Sequence, residues 1–220
     1  MPTVFQHLSW GPVRLALTLF AGLEIRGREN IAKIPRNMII ASDHKNQLDP
    51  ILISACFPFF SKHIPLIFAS MGKDYYAQSG WQRLVYGGTF FRLMGAYPMY
   101  SGLRDYAQAL RHHLDFAQKG KSICIFPRGK QKPMKIPKAR GGVGFLAYAT
   151  QAPILPVSIH GLEDMSLLSI WTGKHKVIVT FGQPLQIKDL FPDINPPVIT
   201  PGNNPFEKAA EIVMQRIDQL

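Results

Sequence analysis

Met38-Ile39-Ile40-Ala41-Ser42-Asp43-His44-Lys45-Asn46-Gln47-Leu48-Asp49-Pro50 runs from an apolar segment through a polar loop into a helix start. The run Met38–Ala41 predicts a buried strand, which delivers His44 to that strand's C-terminal edge. Asp49-Pro50 predicts a helix opening, with Asp as N-cap and Pro at the first helical position. A histidine at a strand exit with a carboxylate one loop away suits general-base chemistry. The carboxylate holds the imidazole tautomer and stabilises the imidazolium once a proton is taken. The competing reading of Asp49 is a pure N-cap, worth about 1 kcal/mol of helix stability. Both roles coexist only if the carboxylate keeps an oxygen for His44.

Working outward, strands are predicted over Leu23–Arg26, Asn37–Ala41, Ser122–Phe126, Ile154–Ile159 and Val177–Phe181, with apolar or extended pieces at Ile64–Ala69 and Tyr97–Met99. Helices are predicted from Ile51 to Cys56, Trp81 to Leu93, Leu103 to Ala117, Gly144 to Ala149 and Phe206 to Leu220. Strands alternating with helices imply a single α/β domain with a mixed, largely parallel sheet flanked by helices. The proline-rich stretch Phe191–Pro205 is expected to be a surface loop. Ahead of the sheet, Gly11-Pro12 divides two short helices rich in Trp, Phe and Leu within residues 1–22. They could lie in a membrane interface or merely cover the sheet. The apolar stretch Leu15–Leu23 is about half the ~20 residues that span a bilayer, and no cleavable signal peptide is predicted.

With 220 residues, 46% hydrophobic and 18% charged, the chain is long and apolar enough for a core, which argues against disorder. Its formal net charge of +11 favours polyanionic partners: nucleic acid, anionic headgroups or a phosphorylated substrate. Cys56 and Cys124, the two cysteines, lie in apolar contexts without metal-ligand spacing and are expected as buried free thiols. His63, His112, His113, His160 and His175 lack acidic or thiol partners at ligand spacing, so no metal site is expected. Asp43 adjoins His44 but would face the opposite side of a strand.

A second constellation follows the strand at Ile123–Phe126. Pro127-Arg128-Gly129-Lys130-Gln131-Lys132 leads through Lys135, Lys138 and Arg140 to a helix opened by Gly141-Gly142. Cations at a strand exit, next to the free N–H groups of a helix start, form a candidate anion site. In open α/β sheets ligands gather at the carboxyl ends of strands. Two nucleotide-like patterns fail. Gly120-Lys121-Ser122 has Asp115 where a phosphate loop needs glycine, and it precedes a strand. Gly142-Val143-Gly144-Phe145-Leu146-Ala147 follows a basic loop instead of a strand, so a helix packed closely on the sheet is expected there. A non-catalytic binder of anionic membrane or nucleic acid is the rival reading, but no aromatic residue interleaves the cations from Arg128 to Arg140.

The ordered set of motifs resembles the glycerolipid acyltransferase family, whose best-known members acylate lysophosphatidic acid. His44-(four residues)-Asp49 is similar to its first motif and Phe126-Pro127-Arg128-Gly129 to its Phe-Pro-Glu-Gly motif. Ile154-Leu155-Pro156-Val157 resembles its late apolar-proline motif, Gly27-Arg28-Glu29-Asn30 its Gly-x-Glu-Asn motif, and Gly95-Ala96-Tyr97-Pro98 stands where the second motif belongs. The likeness spans roughly residues 8 to 185. The departures are Asp43 for Asn, Asn46 for Ser, Arg128 for Glu, Lys130-Gln131 for Thr-Arg, and Met99-Tyr100 where an arginine follows Tyr-Pro. Arg104 is the next arginine, and no glutamate occurs between Glu29 and Glu163.

The resemblance implies an acyltransferase domain over residues 23–220 that moves a fatty acyl group from acyl-CoA or acyl carrier protein to a lysophospholipid-like hydroxyl. His44 would be the base and Asp49 its partner, with no covalent enzyme intermediate, no metal and no other cofactor. Arg104, Arg128, Gly129, Lys130, Lys132, Lys138 and Arg140 would meet the acceptor's anionic group. A cation in place of a carboxylate removes an acceptor for substrate hydroxyls and adds a phosphate ligand. Backbone N–H groups near Gly129 are candidate oxyanion donors. The expected partners are a membrane surface, the acyl donor and a lipid acceptor, with no nucleic acid. The expected location is the cytoplasmic face of a membrane, as a peripheral or monotopic protein.

Overall fold

Four central positions set the sheet: Ile39, Ile40, Ala41 and Ser42 are all buried, as a strand covered on both faces must be. This computed structural model describes residues 2–34, 36–46, 48–71, 92–100, 103, 105–129, 138–161, 176–192 and 197–220. Its strands are β1 (Glu24–Arg26), β2 (Ile39–Ser42), β3 (Ile67–Ser70), β4 (Ala96–Pro98), β5 (Ile123–Ile125), β6 (Ile154–His160) and β7 (Ile178–Phe181). The helices are α1 (Pro2–Phe20), α2 (Glu29–Ala32), α3 (Asp49–Cys56), α4 (Tyr106–Ala109), α5 (Arg111–Gln118), α6 (Gly142–Thr150), α7 (Ile187–Leu190) and α8 (Pro205–Asp218). The strands form one sheet in the order β1-β7-β6-β2-β5-β3-β4. Every pairing is parallel except β6 with β7. The mixed, largely parallel α/β fold is therefore as the alternation of elements predicts.

Alternating residues feed two cores. Ile40, Cys124, Leu155 and Val157 pack with Leu52, Ile53 and Cys56 of α3 and with Leu17 of α1. Ile39, Ala41, Ile123, Ile125 and Ile154 pack on the other face with Val143 and Leu146 of α6 and Val213 and Met214 of α8. The two-residue period of a strand makes this division. It also makes the crevice. The connection from β2 leaves through α3 on one face, and that from neighbouring β5 leaves through α6 on the other. Oppositely directed connections from adjacent parallel strands open a cleft at their carboxyl ends.

The N-terminal prediction needs correcting, because α1 is one helix that contains Pro12 rather than two helices. A mid-helix proline costs about 3 kcal/mol, but the positions whose bond it removes, Leu8 and Pro12, are exposed to water. Anchors on both sides hold the helix straight through. Gln6 Nε2 donates to the carbonyls of Leu66 (2.8 Å) and Met94 (2.8 Å), and Leu66 N donates back to Gln6 Oε1 at 2.9 Å. Trp10 Nε1 donates to Phe57 O (2.9 Å) and Arg14 Nη1 to Ala55 O (2.8 Å). On the outer face Val4, Leu8, Leu15 and Leu19 are 57–69% exposed, an apolar stripe at helical spacing. Among the described residues no helix is long and apolar enough to cross a membrane.

The helix predicted over Leu103–Ala117 is two helices. Asp105 caps α4 by accepting from Ala107 N and Gln108 N, and Leu110 turns out of helical geometry into the core. The Gly142–Ala147 helix packs on the sheet through Val143 and Leu146, as expected, and Gly144 serves a second close approach, to α8. A Cβ on Gly144 would meet Phe206 O at 2.6 Å and the Ala209 side chain at 3.0 Å. The helix predicted over Trp81–Leu93 lies, except for its last two residues, outside the described residues.

Candidate active site

Ser42 ends β2, and the loop beyond it folds around the Asp49 side chain. Asp49 is fully buried, and its Oδ2 accepts from Lys45 N at 2.8 Å, from Asn46 N at 2.9 Å, and lies 2.9 Å from His44 Nδ1. The predicted N-cap role is therefore corrected. Asp49 is the first residue of α3, Leu48 takes the cap position without a side-chain bond, and the carboxylate points back into the loop. Asn46 stiffens the turn, its Oδ1 accepting from Leu48 N at 3.1 Å. The other oxygen, Asp49 Oδ1, is buried and accepts no hydrogen bond among the described residues.

This geometry decides the histidine's tautomer. A carboxylate only accepts, so Nδ1 must be the donor, and in the neutral ring Nε2 carries the lone pair. The His44 side chain is 21% exposed while Asp49 is sealed off. His44 is therefore held by Nδ1 and left partly exposed on its other side.

The second wall comes from β5. Phe126 stacks on the His44 ring with centroids 4.4 Å apart and planes at 26°. Adjacent parallel strands, about 4.8 Å apart, bring these two exits together. The stacking role of Phe126 was not legible in the motif, because nothing in one sequence says that the two exits are neighbours. Beyond Phe126 the chain turns sharply. Gly129 takes φ +62° and its N–H donates to Phe126 O at 3.0 Å, so it is already engaged and is not a free oxyanion donor. Arg140 N donates to Pro127 O at 3.0 Å and brings the returning chain alongside.

The predicted cations divide. Arg128 gives two parallel bonds to Asp218, Nη1 to Oδ1 at 2.8 Å and Nη2 to Oδ2 at 2.9 Å. Lys138 Nζ pairs with Glu207 Oε2 at 2.8 Å. The exposed Arg140 side chain has no carboxylate partner among the described residues. Arg104, Lys130 and Lys132 lie outside the described residues. After β4, where the family's arginine is missing, Arg111 Nη2 of α5 donates to Tyr100 Oη at 2.8 Å and covers that ring.

Asp43 stays apart from His44. Its carboxylate meets Lys45 Nζ at 3.2 Å, and burial pushes its pKa up, with Lys45 acting in the other direction. Lys45 Nζ also donates to Ile159 O at 3.2 Å, tying the loop to the end of β6. Cys56 and Cys124 are buried free thiols, and burial raises both pKa values, that of Cys56 to about 12. Among the described residues no three His, Cys, Asp or Glu side chains are placed to hold a metal ion. One open cleft, lined by Arg36, Asn37, Lys62 and Gly120, lies where β2 and β5 begin, at the end of the sheet opposite His44.

An acyltransferase family model matches residues 22–160, which hold both exits and the β6 proline strand. In three dimensions the chain is similar to the 1-acyl-sn-glycerophosphate (LPA) acyltransferase PlsC from Thermotoga maritima. The TM-score is 0.61 at 19% identity, over 97% of this chain and 80% of that one. No curated protein matches in sequence. With the family match covering more than half of its length, the chain belongs to the acyltransferase family and is an acyltransferase.

Proposed function

We propose that this acyltransferase moves a fatty acyl group from acyl-CoA or acyl carrier protein to the hydroxyl of a lysophospholipid-like acceptor, with His44 as general base. The observation that carries the reading is the 2.9 Å contact between His44 Nδ1 and the buried Asp49 carboxylate, at the mouth of the β2/β5 crevice. Nε2 takes the acceptor's hydroxyl proton as the oxygen attacks the thioester carbonyl. When the tetrahedral adduct collapses, the C–S bond breaks and the imidazolium returns its proton to the departing thiolate. Asp49 fixes the ring and offsets its transient charge. The acceptor's anionic group faces the cations of the β5 exit, and PlsC's LPA acceptor supports such a headgroup.

The acceptor is a lipid, so the crevice must meet a membrane. The apolar outer stripe of α1 supports a peripheral or monotopic position. Phe60, 91% exposed, supports it too, since its neighbour Phe59 packs edge-on against His7 and Trp10 of α1. A cytoplasmic-facing location accords with where acyl-CoA and acyl carrier protein are found. The test presents labelled acyl-CoA and acyl carrier protein to the protein on anionic vesicles with a panel of lysolipids. Transfer to anionic lysolipids is expected, together with flotation of the protein with the vesicles. Absence of transfer to every lysolipid from either donor would overturn the reading.

A further inference from the structure

Three carboxylates of α8, Glu207, Glu211 and Asp218, fall on one helical face, at i, i+4 and i+11. All three engage the two arms of the loop that leaves β5. Arg128 on the outgoing arm meets Asp218 in the fork-to-carboxylate geometry, and its side chain is only 11% exposed against 52% for the aspartate. On the returning arm Lys138 meets Glu207, and Ala139 N donates to Glu211 Oε1 at 3.2 Å. The arms are joined to each other by Arg140 N and Pro127 O, and the outgoing turn is closed by Gly129 N and Phe126 O. Phe126, two residues before Arg128, is the ring on which His44 stacks.

We propose that Asp218 is a positioning residue for acyl transfer: by clamping Arg128 it fixes the Phe126–Gly129 turn, so the last turn of α8 sets the seat of the His44 ring. Arg128 then serves as the clamp's other half instead of as a headgroup ligand, and among the described cations of this loop Arg140 is left to face the acceptor. The idea rests on the His44 mechanism above. Its signature follows from the pair's exposure. With the Asp218 carboxylate 52% exposed, its neutralisation is expected to change global stability little, whereas a shift of about 1 Å in a catalytic group's surroundings can lower turnover by up to about 100-fold. A merely structural pair would affect melting and leave kcat alone.

The test uses the full chain with Asp218→Asn, Asp218→Glu, Arg128→Asp and the exchanged pair Arg128→Asp/Asp218→Arg. Each is measured for kcat, for KM of an anionic lysolipid, and for hydrogen exchange at the Gly129 and Arg140 amides. Asp218→Asn is expected to lower kcat about tenfold with KM unchanged and to speed exchange at both amides. Asp218→Glu and the exchanged pair are expected to recover most of both. The proposal is overturned if the exchanged pair folds yet stays as slow as Arg128→Asp. A rise in acceptor KM at constant kcat, or unchanged amide exchange in Asp218→Asn, overturns it equally. Amide exchange needs no turnover, so a chain inactive toward every acceptor would refute the acyl-transfer reading while leaving the clamp decidable.

Discussion

The exits of β2 and β5 are neighbours in the sheet and are built on opposite plans. At the β2 exit a cation-forming group and its carboxylate are five residues apart, the carboxylate is sealed, and two backbone N–H groups join His44 on its Oδ2. At the β5 exit the guanidinium of Arg128 draws its carboxylate from a residue 90 positions away, at the end of α8. A local pair needs only the loop's own fold to bring it together. A distant pair needs the whole αβα stack to form first. The β2 exit is thus closed mainly by its own residues, and the β5 exit inherits its shape from the C-terminal helix.

Removing the local carboxylate should have the largest effect. Asp49→Ala leaves the partly buried Lys45 and Asn46 amides and His44 Nδ1 without their acceptor, and an unpaired group costs about 1–3 kcal/mol where water cannot reach it. A loss of at least about 2 kcal/mol is expected, or roughly 4–8 °C in Tm for a chain of this size. Turnover should fall with it, and melting curves beside single-turnover assays check both. Wild-type melting in Asp49→Ala would mean that the β2 exit is not held as described.

The platform between the exits comes next. Phe126→Leu keeps an apolar side chain but removes the stacked ring, and kcat is expected to fall by roughly tenfold with little change in Tm. Steady-state kinetics at saturating acceptor make the comparison. If kcat is unchanged, the two exits are adjacent without being coupled.

The smallest effect belongs to histidines that neither exit uses. His63 and His113 are buried without a carboxylate partner among the described residues, and burial pushes both pKa values down to about 4. Between about pH 4 and the ordinary value of 6.5 the unfolded chain binds protons that the folded chain refuses, so stability is full above that window and declines as pH falls through it. The Asp43 carboxyl, raised by burial, acts in the other sense. Denaturation midpoints across the window in wild type and in His113→Gln isolate the histidine contribution, and a shallower slope is expected in the variant.

The same contrast between local and distant partners explains what was legible in the sequence. The His44–Asp49 spacing, the buried run of β2 and the apolar β5 and β6 strands are local patterns, and the fold and the contact between His44 and Asp49 follow from them. Arg128 was legible as a cation but not as a paired one, because Asp218 carries no mark of its partner. Gly11-Pro12 signalled a break, yet α1 continues, since Gln6, Trp10 and Arg14 tie it to backbone carbonyls from distant parts of the chain. Asp49 resembled a cap because Asp-Pro so often opens a helix. The carboxylate turned instead to the amides behind it, where three donors converge.

If His44 is the proton acceptor, His44→Ala removes the base and tests that role most directly. The measurement is transfer of a labelled acyl group to an anionic lysolipid on vesicles, with circular dichroism and vesicle binding as controls for fold and attachment. A loss of turnover of about 10²–10⁴-fold is expected, with fold and vesicle binding intact because the ring is partly exposed and outside both cores. Turnover at the wild-type rate in a folded, vesicle-bound His44→Ala protein would contradict it.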